Sequence, residues 1–141
     1  MAQVSRIAGN LGAWTAYTPT WTGSTTNPVL GNGTLTGKYV QLGKLVIAKA
    51  TLTAGSTTTF GTGLWRLSLP VAAASAEVGA PYGTWSASDT GVADYSGFVV
   101  GSSSNRVAFY KFDNSALVGS TAPFTWGNTD VFMVSFTYEA A

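Results

Sequence analysis

The groups in this chain that could carry acid–base chemistry are six carboxylates: Glu77, Asp89, Asp94, Asp113, Asp130 and Glu139. Histidine is absent, which removes the commonest general base, metal ligand and triad member together. Cysteine is absent too, so thiolate nucleophiles, disulfides and Cys/His zinc sites are excluded. Serine catalysis would need a Lys or carboxylate partner, and no surrounding motif supplies one. Glycoside hydrolysis needs two acids facing each other across a sugar. Asp89 and Asp94 flank one turn, but Asp before Thr-Gly forms turns by bonding its own backbone. Asp113-Asn114 and Asn128-Thr129-Asp130 fit the same turn chemistry, and no loop has the dense Asp/Asn spacing of a calcium site. Gly31-Asn32-Gly33 and Gly61-Thr62-Gly63 lack the residues of a nucleotide loop. Asn32-Gly33-Thr34 matches a glycosylation sequon, but without a signal peptide the preferred reading is a tight turn. The expectation is a protein with no catalytic residue, no metal and no cofactor.

The remaining chemistry lies in the aromatics. Trp65, Phe109, Phe132 and Phe136 alternate along strand-like runs and are expected in the core. Trp14, Tyr17, Trp21, Phe60, Tyr82, Trp85 and Trp126 fall in or beside predicted loops. Exposed rings with polar neighbours stack on sugars, so these seven are candidates for a glycan site. The alternative, preferred for any single residue, is that they seal the ends of the fold or a subunit interface.

These residues must be positioned by strands. Val, Ile, Thr and aromatic runs favour extended backbone, and Gly, Pro, Asn and Ser punctuate them. Strands are predicted at about 34–42, 44–53, 64–69, 80–88, 95–100, 107–112 and 131–138, with 71–78 as a connection. Pro70 ends its strand because it cannot donate to a ladder. In 44–53 the first half is apolar on both faces, which places Leu45 and Ile47 at a candidate subunit interface. In 131–138 the aromatic face, Phe132, Phe136 and Tyr138, is expected to be core. Several short strands at steady spacing, with no convincing helix, predict an all-β antiparallel β-sandwich, jelly-roll-like.

Composition limits the setting. Charged residues are 9% of the 141 and the net charge is +1, against about a quarter charged in ordinary soluble proteins. The seven cations are scattered, so neither nucleic acid nor a membrane surface is an expected partner. No charge occurs between Arg6 and Lys38. A surface this poor in charge is expected to be covered by identical neighbours in an oligomer. No apolar run approaches the ~20 residues that span a bilayer. The N-terminal MAQVSRIAGN lacks a long apolar stretch, so synthesis in a cytoplasm is expected. Residues 1–13 are expected to be an arm or attachment segment, and 14–141 a single domain. Gly9 and Gly12 weaken any helix there by about 1 kcal/mol each.

One string is recognisable. Tyr17-Thr18-Pro19-Thr20-Trp21-Thr22, Asn27-Pro28 and Gly31-Asn32-Gly33-Thr34-Leu35-Thr36-Gly37-Lys38-Tyr39 resemble a domain common in tailed bacteriophages and prophages. The likeness continues through Gly43-Lys44-Leu45-Val46, Thr57-Thr58-Thr59-Phe60-Gly61-Thr62-Gly63, Trp65 and Ser68-Leu69-Pro70-Val71, about the first half of the chain. The resemblance implies a virion surface protein: a minor tail or tail-fibre tip protein, a β-sandwich, often trimeric. It carries over no catalytic residue. Larger fibre proteins place the motif after a long shaft; here 13 residues precede Trp14, so attachment through a short arm or the domain itself is expected. The expected function is a non-enzymatic virion structural protein, a tail-associated module that binds host cell-surface glycan. The alternative is a capsid decoration or head-fibre protein. Other virion proteins, of tail or capsid, are the expected partners besides glycan.

Overall fold

A computed structural model describes residues 13–113 and 115–141. Within them the chain forms nine strands. They are β1 (Thr15–Tyr17), β2 (Trp21–Gly23), β3 (Thr34–Leu42), β4 (Leu45–Thr53), β5 (Trp65–Ser68), β6 (Pro81–Asp89), β7 (Ala93–Ser103), β8 (Arg106–Lys111) and β9 (Val131–Glu139). All belong to one antiparallel sheet in the order β1-β3-β4-β9-β6-β7-β8-β5-β2. The all-β antiparallel architecture expected from the sequence is the one formed. Its packed layers are parts of one curled sheet, and the inner face closes on itself. Thus Phe132 of β9 meets Phe109 of β8 at 4.9 Å and Trp65 of β5 at 6.0 Å between ring centroids. The predicted arm lies outside the described residues, except for Ala13.

Alternation sets the two faces. Along β9, Phe132, Val134, Phe136 and Tyr138 are buried while Met133, Ser135, Thr137 and Glu139 are exposed. Val46, Ala48, Ala50 and Leu52 of β4 also point inward. Small and large residues oppose across this ladder, with Ala48 paired to Phe136 and Ala50 to Val134. The bulk of β9 therefore fills space that β4 leaves open, as close packing requires.

The recognisable string closes the sheet. β1 pairs only with β3 and β2 only with β5, so these consecutive strands are the two edges of the sheet. Residues 18–20 carry the chain from one edge to the other. Pro19 is buried in this crossing, where a missing N–H breaks no ladder. Thr20 N–H donates to Ser68 Oγ at 2.7 Å, and Ser68 N–H donates to Thr20 O at 3.0 Å. Tyr17 packs edge-on to Tyr39, and Trp21 edge-on to Trp65 at 4.8 Å. Gly37 sits opposite Tyr17 in register, and a Cβ there would lie 2.7 Å from the Tyr17 ring and 3.1 Å from Pro19 Cδ. Glycine is needed because ring and proline both cross its backbone.

The second half of the string locks two loops together. Asn32 N–H donates to Thr57 Oγ1 at 2.8 Å, Thr57 N–H returns a bond to Asn32 Oδ1 at 2.9 Å, and Asn32 Nδ2 donates to Ser56 Oγ. Thr58 Oγ1 donates to Leu30 O at 2.6 Å. Asn32 is thus held by its neighbours as a loop clamp.

Tyr138 pins the connection 70–80 to the sheet. Its hydroxyl donates to Val71 O at 2.6 Å and accepts from Val71 N–H at 3.3 Å. Burial pushes this phenol up to about 12, with Tyr82 and Tyr39 adding to the shift and the Val71 bond opposing it. Burial also raises Tyr17 and Tyr82. A phenol raised on folding holds its proton more tightly in the native state. Its stabilising contribution is complete below pH 10 and is lost as pH climbs towards 12. The urea midpoint is expected to fall across pH 10–12, and Tyr138→Phe to flatten part of that fall. An unchanged slope in the variant would remove Tyr138 from this account.

Candidate functional site: the outer face of the sheet

The seven aromatics proposed from sequence divide sharply. Trp21, Tyr82, Trp85 and Trp126 are buried in the core, at 2–8% exposure, so their rings are not open to a sugar. Tyr82 and Trp85 lie on the inner face of β6, within a strand rather than beside it. Trp126 turns inward, and its Nε1 donates to Gly119 O at 2.9 Å and Ala122 O at 3.3 Å. Phe60 is half-buried and stacks on Trp65 and Trp126 at 6.2 and 6.5 Å. Tyr17 is half-buried at the seam. Trp14 stays exposed, at 43%. Trp65, Phe109, Phe132 and Phe136 are buried as expected.

The acids form no pair across a cleft. Asp94 is opposite Ser88 and Asp89 opposite Ala93 in the β6–β7 hairpin, so Asp89 and Asp94 point to opposite faces. Asp130 is buried, its Oδ1 accepting from Thr90 N–H at 3.0 Å and its Oδ2 from Gly127 N–H at 2.7 Å. It ties the β6–β7 turn to the entry of β9. Asp113 accepts from the backbone and hydroxyl of Ser115 at 2.9 and 2.6 Å and faces Lys111 at 3.8 Å, contacts that hold its carboxyl below the usual range, the Ser115 bonds foremost. Glu77 accepts from Glu139 N–H at 3.2 Å.

The convex outer face carries the surface chemistry, and strand register builds it in rows. Lys38 of β3 pairs with Lys49 of β4, then Ser135 of β9, Thr84 of β6 and Phe98 of β7. The next row runs Thr36, Thr51, Met133, Ser86 and Ser96. Adjacent strands lie about 4.8 Å apart, so each row offers a hydroxyl, ammonium or apolar group at roughly that interval. Two shallow depressions follow these rows. One, of about 400 Å³, is lined by Ala16, Thr36, Lys38, Lys49 and Thr51. The other, of about 480 Å³, continues from Lys49 and Thr51 to Thr84, Ser86, Ser96, Met133, Ser135 and Phe112. They share Lys49 and Thr51, so they form one groove.

Aromatics stand at both ends of it. Trp14 lies at the β1 end, with Lys38 Nζ 5.0 Å and Lys49 Nζ 5.8 Å from its ring centroid. Phe112, 61% exposed, stands at the other end against Phe98. No carboxylate lines either depression. Along the β3–β4 hairpin the outer face changes character. Val40, Ile47, Leu42 and Leu45 make an apolar tip, the two lysines follow, and Thr36 and Thr51 come next. Leu42 and Leu45 are paired in register and both exposed; Ile47 is half-buried.

Sequence reasoning missed Thr36, Lys38, Lys49, Thr51, Met133 and Phe112 as surface groups of interest. The signal available was the polar phase of the same period-two pattern that located the core.

Over 121 residues the chain is 35% identical to the Mu-like prophage FluMu defective tail fiber protein of Haemophilus influenzae, a match covering 80% of this chain and 18% of that protein. The chain thus spans about a fifth of the length of the curated relative it matches. No family model matches the chain. No solved structure matches it significantly.

Proposed function

We propose that this chain is a non-enzymatic structural module of a phage virion, associated with the tail, which binds host cell-surface glycan along the outer face of its sheet. The observation that carries the tail assignment is the 121-residue match to a protein named as a prophage tail fiber protein. The groove supports the binding role. It is open and rich in Ser and Thr hydroxyls, with an exposed ring at each end. Sugar rings stack on aromatic faces, and their hydroxyls exchange hydrogen bonds with such side chains. The groove's lack of carboxylates supports binding without hydrolysis. The module works as a homotrimer, with the exposed Leu42–Leu45 tip and Ile47 as its contact, and it joins other virion proteins.

Purified protein added to host cells is expected to block adsorption of the parent phage. Trp14→Ala and Phe112→Ala are expected to weaken this block by about fivefold each, since stacking one ring contributes on the order of 1 kcal/mol. Full blocking by the double variant would remove the groove from host recognition. Hundreds of copies per particle in a quantified gel would favour a head decoration role instead. Light scattering that gives a monomer mass would sink the trimer.

A further inference from the structure

We propose that the depression lined by Thr36, Lys38, Lys49 and Thr51, with Trp14 beside its two lysines, binds an acidic saccharide, the sugar ring against Trp14 and its carboxylate between the two ammonium groups. The inference rests on the glycan-binding reading above and narrows it to anionic sugars.

Its first support is electrostatic. Lys38 and Lys49 are directly opposite on neighbouring strands, an arrangement in which like charges repel. Across an ordinary sheet surface a carboxylate would separate two such cations. Here none does: neither lysine forms an ion pair among the described residues, where Lys111–Asp113 is the pair present. The chain has six side-chain carboxylates in all. Asp130 is buried on backbone N–H groups, Asp113 serves Lys111 and Ser115, and Glu77 serves the backbone of Glu139. Asp89 belongs to the β6–β7 hairpin and Asp94 pairs with Ser88, four strand positions from β3. Glu139 stands opposite Leu45, four residues along β4 from Lys49 and so roughly 13 Å away. The segment 1–12 contains no Asp or Glu. The anion that would relieve this pair therefore comes from outside the chain.

Its second support is the form of the depression. The volume, about 400 Å³, lies within the range of small-ligand sites. Ala16 opposes Lys38 in register, and its short side chain leaves the space beside the ammonium open. Thr36 and Thr51, also directly opposite each other, present two hydroxyls one row away. Trp14 is an exposed ring already within cation–π distance of both ammonium groups. Charge, hydroxyls and an aromatic face thus converge on one spot. Lysine suits this task, as a mobile point charge with three donors.

The test titrates the full chain with polygalacturonate, alginate, hyaluronate and polysialate, each beside its carboxyl-reduced counterpart. At least one acidic polymer is expected to bind about tenfold or more tightly than its neutral form, with affinity falling as salt is raised. Lys38→Gln/Lys49→Gln is expected to lose that preference while keeping the wild-type melting temperature. Binding that persists after carboxyl reduction, or that ignores both salt and the lysine substitutions, overturns the acidic-ligand inference and leaves glycan binding standing. Failure of every polymer, acidic or reduced, overturns both. A lower oligomer mass for the double variant in light scattering assigns the lysines to a subunit contact and overturns the inference as well.

Discussion

Trp126→Ala is expected to lower folding stability by about 3–5 kcal/mol and the melting temperature by roughly 10–20 °C. The ring is 5% exposed and touches Phe60, Trp65, Phe124 and Phe132 at centroid distances of 6.5, 4.5, 4.3 and 5.9 Å. Removing it opens a cavity among aromatics that cannot collapse together, because each is held by its own strand or loop. It also leaves the carbonyls of Gly119 and Ala122 without the indole donor. Trp126→Phe separates the two effects. It keeps most of the ring and loses the donor, and is expected to cost about 1–2 kcal/mol. Trp14→Ala supplies the contrast. Its ring lies on the surface, so stability is expected to move by no more than about 0.5 kcal/mol, while glycan binding falls. A urea titration of the three variants decides. A Trp126→Ala protein with the wild-type midpoint would mean that the ring seals nothing. Adsorption lost in Trp126→Ala would report unfolding, and in Trp14→Ala a missing contact.

That contrast marks where the sequence was legible. Long strands announced themselves: burial alternates over nine residues in both β4 and β9; the aromatic pattern selects the inward residues of β9, whereas the first half of β4, apolar on both faces, shows its inward side only in the fold. β1 and β2 have three residues each, too few for a period to register, and their partners lie tens of residues away. The role of Tyr17-Thr18-Pro19-Thr20-Trp21 as the closure of the sheet therefore appears only in three dimensions. The burial of Trp85 and Trp126 was hidden for a related reason. Tryptophan beside Gly, Ser and Asn looks like a loop residue, yet a curled sheet needs its largest rings where its ends are filled. The groove was invisible because it depends on register across strands distant in sequence. Lys38 and Lys49 are eleven positions apart along the chain, and only antiparallel pairing makes them neighbours.

Gly97→Ala tests how one inward tryptophan is accommodated, and is expected to cost about 2–4 kcal/mol. Gly97 of β7 lies opposite Trp85 of β6 and opposite Lys111 on the other side. The Trp85 indole, 2% exposed, passes over this glycine and donates from Nε1 to Tyr110 O on β8 at 2.9 Å. One side chain thereby stitches three strands. A Cβ on residue 97 would collide first with the Tyr110 carbonyl oxygen that accepts the indole N–H, and would stand 2.6 Å from Nε1 and 2.7 Å from Cε2 of the ring, closer than carbon and an aromatic atom can approach. The ring cannot retreat, because Phe132 stands 5.7 Å away on its core side. Alanine therefore forces the indole off its carbonyl or pushes β7 away from β6. Trp85→Phe removes the N–H and shortens the ring. Alone it is expected to cost about 1–2 kcal/mol, and combined with Gly97→Ala the costs are expected to fall short of their sum by about 1–2 kcal/mol. Additive costs in that double-mutant cycle would mean that the indole does not need the glycine, and that β7 keeps it for its backbone alone.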